Sequence, residues 1–545
     1  MKNIQAENDA DKLRNFDKSR RFRKQTVEQS QIEIPEINDY SFSWKRLWSF
    51  TGPGFLMSIA YLDPGNIESD LQSGVVARYR LLWILLYSTI LGLLIQILSA
   101  RLGVVTGKHL AELCYQRYRK LPRLGLWIMT EIAIIGSDMQ EVIGTAVAIY
   151  MISNRIIPLW FGVILTILDT LTFLFLDKYD LRKLEGFFGF LIITMAATFG
   201  YEFYVTKPDL IEIGKGLVLP TCSGCDQKVI LQAVGIIGAI IMPHNLYLHS
   251  ALVKSRKINN RKSAETKDAN RYVLIESSIA LFVSLIINLI VTSTFAQGLA
   301  DKSNADVYRK CYQYRFDKDF LEMKHLMNNT DPFEADLYQA GIYLGCYFGT
   351  APFYIWALGI LAAGQSSTMT GTYAGQFTME GFLNLQWPRW KRVLLTRSIA
   401  ILPTLAVTIY SDIQSLTGLN DYLNALMVIQ LPFAVLPTLT FSSSKMVMGK
   451  FVNNYFSLIS ATLLSISVIV INIYFVLQML IELSKTIDAW ILLGLSTVFG
   501  IFYSLFVLYL FGCFLTVIGF RFHHKICPFG NHFIEMEQIE YQYLD

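Results

Sequence analysis

Asp63-Pro64-Gly65-Asn66 and Met242-Pro243-His244-Asn245 each interrupt a long apolar stretch, and the pairing of these two interruptions decides the fold. Proline has no amide hydrogen and its ring clashes with the preceding turn. Inside a helix it costs about 3 kcal/mol, and Gly65 adds further backbone freedom. Within a bilayer, unwound backbone persists only where protein buries it or where it borders a polar cavity. Broken helices at corresponding places in two halves of a chain point to a transporter's binding site. Proline kinks alone are common in membrane helices; here the registration and the polar residues carry the argument. Laid on one another, Asp63 aligns with Met242, Pro64 with Pro243, Gly65 with His244 and Asn66 with Asn245, and upstream Ala60 aligns with Ala239.

The surrounding chain is that of a polytopic membrane protein. Its 545 residues are 53% hydrophobic and 17% charged, with mean hydropathy +0.39, too apolar for a soluble protein of this size. Runs of about 20 apolar residues, the length that crosses a bilayer, recur about twelve times. They fall near 50–74, 81–100, 125–152, 157–176, 185–204, 229–252, 273–298, 341–378, 393–411, 422–441, 455–480 and 487–520. The breaks lie in spans one and six, so spans one to five and six to ten make two halves. An odd number of spans per half inverts the second half, which predicts an all-α LeuT-like 5+5 inverted repeat. The repeats cover about 49–204 and 229–441, within a transporter domain of 49–520 whose last two helices, 455–520, are peripheral.

The polar N-terminal tail, 1–48, carries Lys18, Arg20, Arg21, Arg23 and Lys24 and lacks the pattern of a secretory signal. It is expected in the cytosol, as is the C-terminal tail, 521–545. Most of the 47 Lys and Arg residues then sit in the inward loops and tails, as the positive-inside rule requires. They form no single stripe, and the net charge of +4 gives no sign of a nucleic-acid partner. Arg397 is the exception, a cation inside span nine that needs an acidic partner or water.

Cys222, Cys225 and Cys311 fall in loops on the expected outer side, where disulfides form, although the three leave one over and their pairing open. A zinc site at Cys222-Ser223-Gly224-Cys225 would need a second ligand pair, and none is near. Asn328-Asn329-Thr330, in the outer loop of about 299–340, is a glycosylation acceptor at Asn328.

Everything at the breaks suits a cation. A carboxylate at the bilayer centre costs about 2.5–3.5 kcal/mol, so Asp63 needs a positive partner, and Asn66 offers an amide oxygen. The carbonyls around Ala60 and Ala239, at the ends of the first half-helices, lose their helical partners and carry partial negative charge. Oxygen ligands alone favour calcium, magnesium or manganese; the Met242 thioether adds affinity for softer transition metals. As a plain packing residue, Met242 would add nothing to selectivity.

Gly52-Pro53-Gly54, the run Asp63-Pro64-Gly65-Asn66-Ile67-Glu68-Ser69-Asp70 and Met242-Pro243-His244-Asn245 resemble the NRAMP family, specifically its animal proton-coupled divalent metal transporters. Gly136-Ser137-Asp138-Met139-Gln140-Glu141 and Gly364-Gln365-Ser366-Ser367-Thr368-Met369-Thr370-Gly371 fit as well, and the match spans about 42–520. The resemblance implies metal ligands at Asp63, Asn66, Met242 and the Ala239 carbonyl, joined in some conformations by the Ala60 carbonyl and Gln430. It also implies proton symport, with Asp63 receiving the proton and Asp138, Glu141 and Arg397 leading it inward. The transported substrates would be Fe(II), Mn(II) and their neighbours Co(II), Cd(II) and Zn(II), together with H+; no resident cofactor is expected.

Asp138 and Glu141 lie one turn apart on span three, which puts both on one face and lets them share Arg397 in a buried network. The same three residues could instead only hold helices together. His244, at the break, and His249 add groups that titrate near neutral pH. Glu131, Asp169, Glu185 and Glu276 have no assigned role.

A transporter-like metal sensor that binds without net transport is the competing function class. An enzyme is not expected, since no nucleophile and base pair, and Asp63 with Asp138 lacks the context of an aspartyl protease. Amino-acid transport on the same architecture would make Asp63 unwelcome beside a substrate carboxylate. Tyr541-Gln542-Tyr543-Leu544 has the form of an endocytic sorting signal, which implies an adaptor partner and cycling between plasma membrane and endosomal-lysosomal membranes.

Overall fold

The computed structural model describes residues 32–35, 42–176, 181–222, 224–260, 262–300, 302–313, 329–333, 335–384, 389–410, 413–455, scattered positions from 457 to 474, and 490–519. Among these, regular structure is helical throughout; two isolated bridges, Ile32 with Arg256 and Ser303 with Pro332, are the whole of the β pairing. Asn328, the sorting sequence Tyr541–Leu544 and most of both tails lie outside the described residues.

Helix α1 (Trp44–Phe50) leads into the broken first span, α2 (Pro53–Ile59) and α3 (Pro64–Ala77). The first half continues through α4 (Leu82–Thr106), a connector α5 (Leu110–Arg117), α6 (Lys120–Ile152), α7 (Leu159–Leu176) and α8 (Leu181–Thr206). A surface helix, α9 (Leu210–Val218), precedes the broken sixth span, α10 (Gln227–Ile240) and α11 (Pro243–Leu252). After α12 (Ser263–Gly298) come two connectors, α13 (Asn304–Gln313) and α14 (Leu337–Phe348). The second half closes with α15 (Thr350–Leu383), α16 (Arg389–Tyr410) and a divided tenth span, α17 (Ile413–Gln430) and α18 (Pro432–Ser442); α19 (Trp490–Ile518) follows.

Helix thus covers the expected spans; in the eleventh, the positions described between 455 and 474 are helical. Seven helical runs among the described residues are long and apolar enough to cross a membrane, two of which, 227–255 and 419–442, pass through the breaks of the sixth and tenth spans. The first and eighth spans fall outside that set because of what they carry. Asp63, Glu68 and Asp70 crowd the first, and a Gln-Ser-Ser-Thr run interrupts the eighth.

Three expectations change. The apolar stretch assigned to span eight from residue 341 is two helices, α14 and α15, divided at Gly349 with φ +106°. Its first part is a short buried helix outside the span proper. Consequently Cys346 joins the loop cysteines and pairs with Cys311, while Cys222 pairs with Cys225, which accounts for the cysteine left over. Span ten, read as continuous, divides at Leu431-Pro432, so a third span of this fold carries a break followed by a proline-led helix.

Pro64, Pro243 and Pro432 all occupy the first turn of the helix they begin, where a missing amide costs nothing. The first break also needs room against α6. A Cβ on Gly144 would stand 2.3 Å from the Pro64 Cβ, so only glycine lets this rigid ring approach. Gly144→Val is expected to destabilise by about 1–3 kcal/mol through overpacking. A lowered melting midpoint in detergent with reduced uptake, against an unaffected Gly512→Val, whose Cβ meets nothing within 4 Å, would verify it.

Candidate metal-binding site

Each half of one broken span packs on the opposite half of the other, α2 on α11 and α3 on α10, which brings the two non-helical links alongside one another. Asp63 is the N-cap of α3, and its Oδ1 accepts from both the Asn66 amide and the Asn66 Nδ2, each at 2.8 Å. Its Oδ2 is buried and accepts nothing from the protein. Met242 occupies the matching N-cap of α11, where a thioether cannot cap, and is 2% exposed. Asp63, Asn66 and Ala239 are equally buried, and Ala60 is the C-cap of α2.

The prolines decide the state of the two carbonyls. In an unbroken helix, Ala60 would accept from residue 64 and Ala239 from residue 243; both are proline, so neither carbonyl has that donor. Gln430, the last residue of α17, sits at the third break with its Oε1 buried and unpartnered. His244 Nδ1 and both amide atoms of Asn245 are in the same condition on the first turn of α11. A buried polar atom without a partner costs about 1–3 kcal/mol, and the three breaks between them carry several such atoms, which a ligand would satisfy. Among the described residues no three His, Cys, Asp or Glu side chains converge, so a cation here would meet a mixed set of carboxylate, amide, thioether and carbonyl.

Beside this site the structure assembles the expected charge network. Arg397 grips Glu141 with two hydrogen bonds, Nη1 to Oε1 at 2.8 Å and Nη2 to Oε2 at 3.0 Å, and Nη2 also donates to the Thr368 carbonyl at 3.1 Å. Asp138 Oδ1 lies 3.7 Å from Arg397 Nη2, and the Thr368 hydroxyl donates to Glu141 Oε1. A Cβ on Gly371 would come within 2.6 Å of Asp138 Oδ1, so that glycine admits the carboxylate. His249 is wholly buried with neither ring nitrogen bonded, and it takes no part in this network.

These residues lie inside a region, 54–478, that matches the family model described as natural resistance-associated macrophage protein-like. The chain belongs to the NRAMP family. It is 57% identical to Protein Malvolio of Drosophila melanogaster over 483 residues, covering 88% of this chain and 80% of that protein. To human natural resistance-associated macrophage protein 2 it is 56% identical over 492 residues, covering 90% and 85%. Among solved structures, a variant of the Eremococcus coleocola manganese transporter is 29% identical with a TM-score of 0.73, covering 89% of this chain and 97% of that one. A nucleobase-cation-symport-1 family transporter, 12% identical with a TM-score of 0.50 over 78% of this chain and 89% of its own, shares the fold alone. As an NRAMP protein the chain is a multi-pass membrane transporter and not an enzyme.

Two groups of polar residues in this NRAMP chain, to which the sequence assigned no role, hold the ends of the first span's helices. On the α3 side of the break, Asn420 Nδ2 donates to Glu68 Oε2, Gln72 Nε2 to Glu68 Oε1 at 3.3 Å, and Gln232 Nε2 to Gln72 Oε1 at 2.8 Å. Gln140 Nε2 meets Asn424 Oδ1 at 2.7 Å, so α3, α6, α10 and α17 share polar contacts. The signal was the recurrence of amides at Asn420 and Asn424, one turn apart in an apolar run. At the other end, Glu276 Oε1 accepts from the Gly52 and Gly54 amides, at 2.6 and 2.9 Å, and so caps α2. Arg256 Nη2 donates to the Thr51 carbonyl at 2.7 Å and pairs with Glu185 at 2.8 Å. Of the other acids without a role, Glu131 accepts from Trp127 Nε1 at 2.9 Å, and the Asp169 side chain lies outside the described residues.

Proposed function

We propose that the chain imports divalent transition-metal ions, Fe(II) and Mn(II) with Co(II), Cd(II) and Zn(II) as further substrates, into the cytosol by symport with protons. The observation that carries this is the unsatisfied Asp63 Oδ2 at a break where Met242 aligns with it, beside two carbonyls deprived of donors by proline. Asp63, Asn66, Met242 and the Ala239 carbonyl are the metal ligands in this reading. The Ala60 carbonyl and Gln430 enter in particular conformations. The likeness to a manganese transporter supports the substrate class.

Protons arrive at Asp63 and leave through Asp138, Glu141 and Arg397, with His244 at the break as a further group on the route. Metal binding to Asp63 needs the carboxylate free of its proton, so the two cargoes compete for one oxygen pair and then use separate exits. Both tails face the cytosol, and the protein works at the plasma membrane or in endosomal-lysosomal membranes, with Asn328 on the opposite side and Tyr541–Leu544 available to a sorting adaptor.

Mn(II) uptake into proteoliposomes, with and without an inward proton gradient and with internal pH recorded, tests the reading. Metal entry accompanied by internal acidification is expected. Binding without entry would favour the sensor, and entry indifferent to the gradient would remove the proton step. Met242→Ala is expected to keep manganese uptake while calcium and magnesium compete better, because the soft donor is gone. Unchanged competition curves would exclude the thioether as the discriminating ligand.

A further inference from the structure

Trp44 and Trp48 stand one turn apart on α1 and are 76% and 73% exposed, although the helix that carries them is firmly held. Its opposite face is pinned to α12. Arg46 pairs with Asp268 at 2.7 Å, the Phe50 ring stacks on Tyr272 with centroids 5.3 Å apart, and the Ser43 amide donates to the Tyr272 hydroxyl at 2.8 Å. Leu47 and Phe50 are buried in a cluster with Ala269 and Val273. The two indoles are therefore presented outward by a fixed scaffold.

What covers them follows from α12 itself. Beyond the residues that hold α1, its outer surface continues as exposed Leu274 and Phe282, the lipid-facing stripe of a membrane span. In the other direction its exposed residues turn cationic, at Arg271 and Lys267, and Lys45 is exposed on α1 between the indoles. The change from charge to hydrocarbon along one helix marks the depth of the lipid headgroups, and α1 sits at that change. Indole, an apolar ring with one N–H donor, is the side chain best suited to this layer. We propose that α1 lies in the headgroup boundary of the membrane surface at which α2 begins, with Trp44 and Trp48 as its anchors in lipid. Only Thr51 and Gly52 separate α1 from α2, so the first half-helix of the broken span is tethered to the bilayer surface.

The test uses the full chain reconstituted in phosphatidylcholine vesicles brominated either near the headgroup end or near the terminus of the acyl chain. Tryptophan emission is compared between the wild type, with its nine tryptophans, and a Trp44→Phe/Trp48→Phe variant. The emission removed by the substitutions is expected to be quenched more by shallow than by deep bromines, and to be sheltered from iodide in the buffer. Emission quenched by iodide and indifferent to both lipids would overturn the proposal. So would efficient crosslinking of Trp48→Cys between copies in dilute vesicles, which would assign this face to a second chain. Should the double variant fail to reconstitute, a bimane label on Trp48→Cys gives the same depth comparison from one site.

Discussion

Asp63→Asn is expected to abolish metal uptake while leaving the fold intact. Asparagine caps a helix about as well as aspartate, so the start of α3 survives and only the charge is lost. Changes to groups that merely orient a metal ligand typically cost about 10–100-fold in affinity, and loss of the one carboxylate at the paired breaks should exceed that. Asp63→Ala removes both charge and cap, and so adds about 1 kcal/mol of helix destabilisation to the same functional loss. Mn(II) titration calorimetry on the purified variants and uptake in proteoliposomes both bear on this. Uptake near the wild-type rate in the Asn variant would remove Asp63 from the ligand set.

Arg397→Ala should have the second large effect, of a different kind. Breaking a buried ion pair by removing one partner leaves an uncompensated charge and typically costs about 3–5 kcal/mol. Here the remaining partner would be Glu141, with Asp138 beside it, while the Thr368 carbonyl keeps the Thr372 hydroxyl as a donor. The melting midpoint in detergent is expected to fall sharply. Arg397→Lys should recover part of it, because lysine restores the charge without the two-pronged grip. In proteoliposomes the lysine variant separates the two roles this network could have. Metal entry with diminished internal acidification would place the network on the proton route. Entry and acidification lost in equal proportion, following the fall in stability, would reduce it to a structural brace.

The interruptions at Asp63-Pro64 and Met242-Pro243 were legible because proline leaves an unambiguous mark on an apolar run. Arg397 was legible because an arginine in such a run demands a partner, and acids at positions 138 and 141 share a helix face. Other features resisted for physical reasons. The cap that Glu276 places on α2 joins residues 224 apart, and only tertiary packing brings that carboxylate to the Gly52 amide. The break before Pro432 was hidden because Pro437 continues inside the helix that follows, so proline there did not mean interruption by itself. Cys346 sat in a stretch as apolar as a span, and hydropathy does not distinguish a buried connector such as α14 from a helix in lipid. Both tails, with the basic cluster and the sorting sequence, remain expectations of the sequence.

The prolines at positions 64 and 243 also bear on how this protein would respond to a genetic screen. In the proposed site Ala60 and Ala239 would offer the cargo nothing but main-chain oxygen, and every amino acid carries that oxygen, so scanning mutagenesis would pass over both positions unless bulk intervened. The screen would register the prolines instead. Any other residue at either position brings back an amide four places along, able to reclaim the carbonyl for the helix and silence a donor that no substitution at the donor's own position can delete.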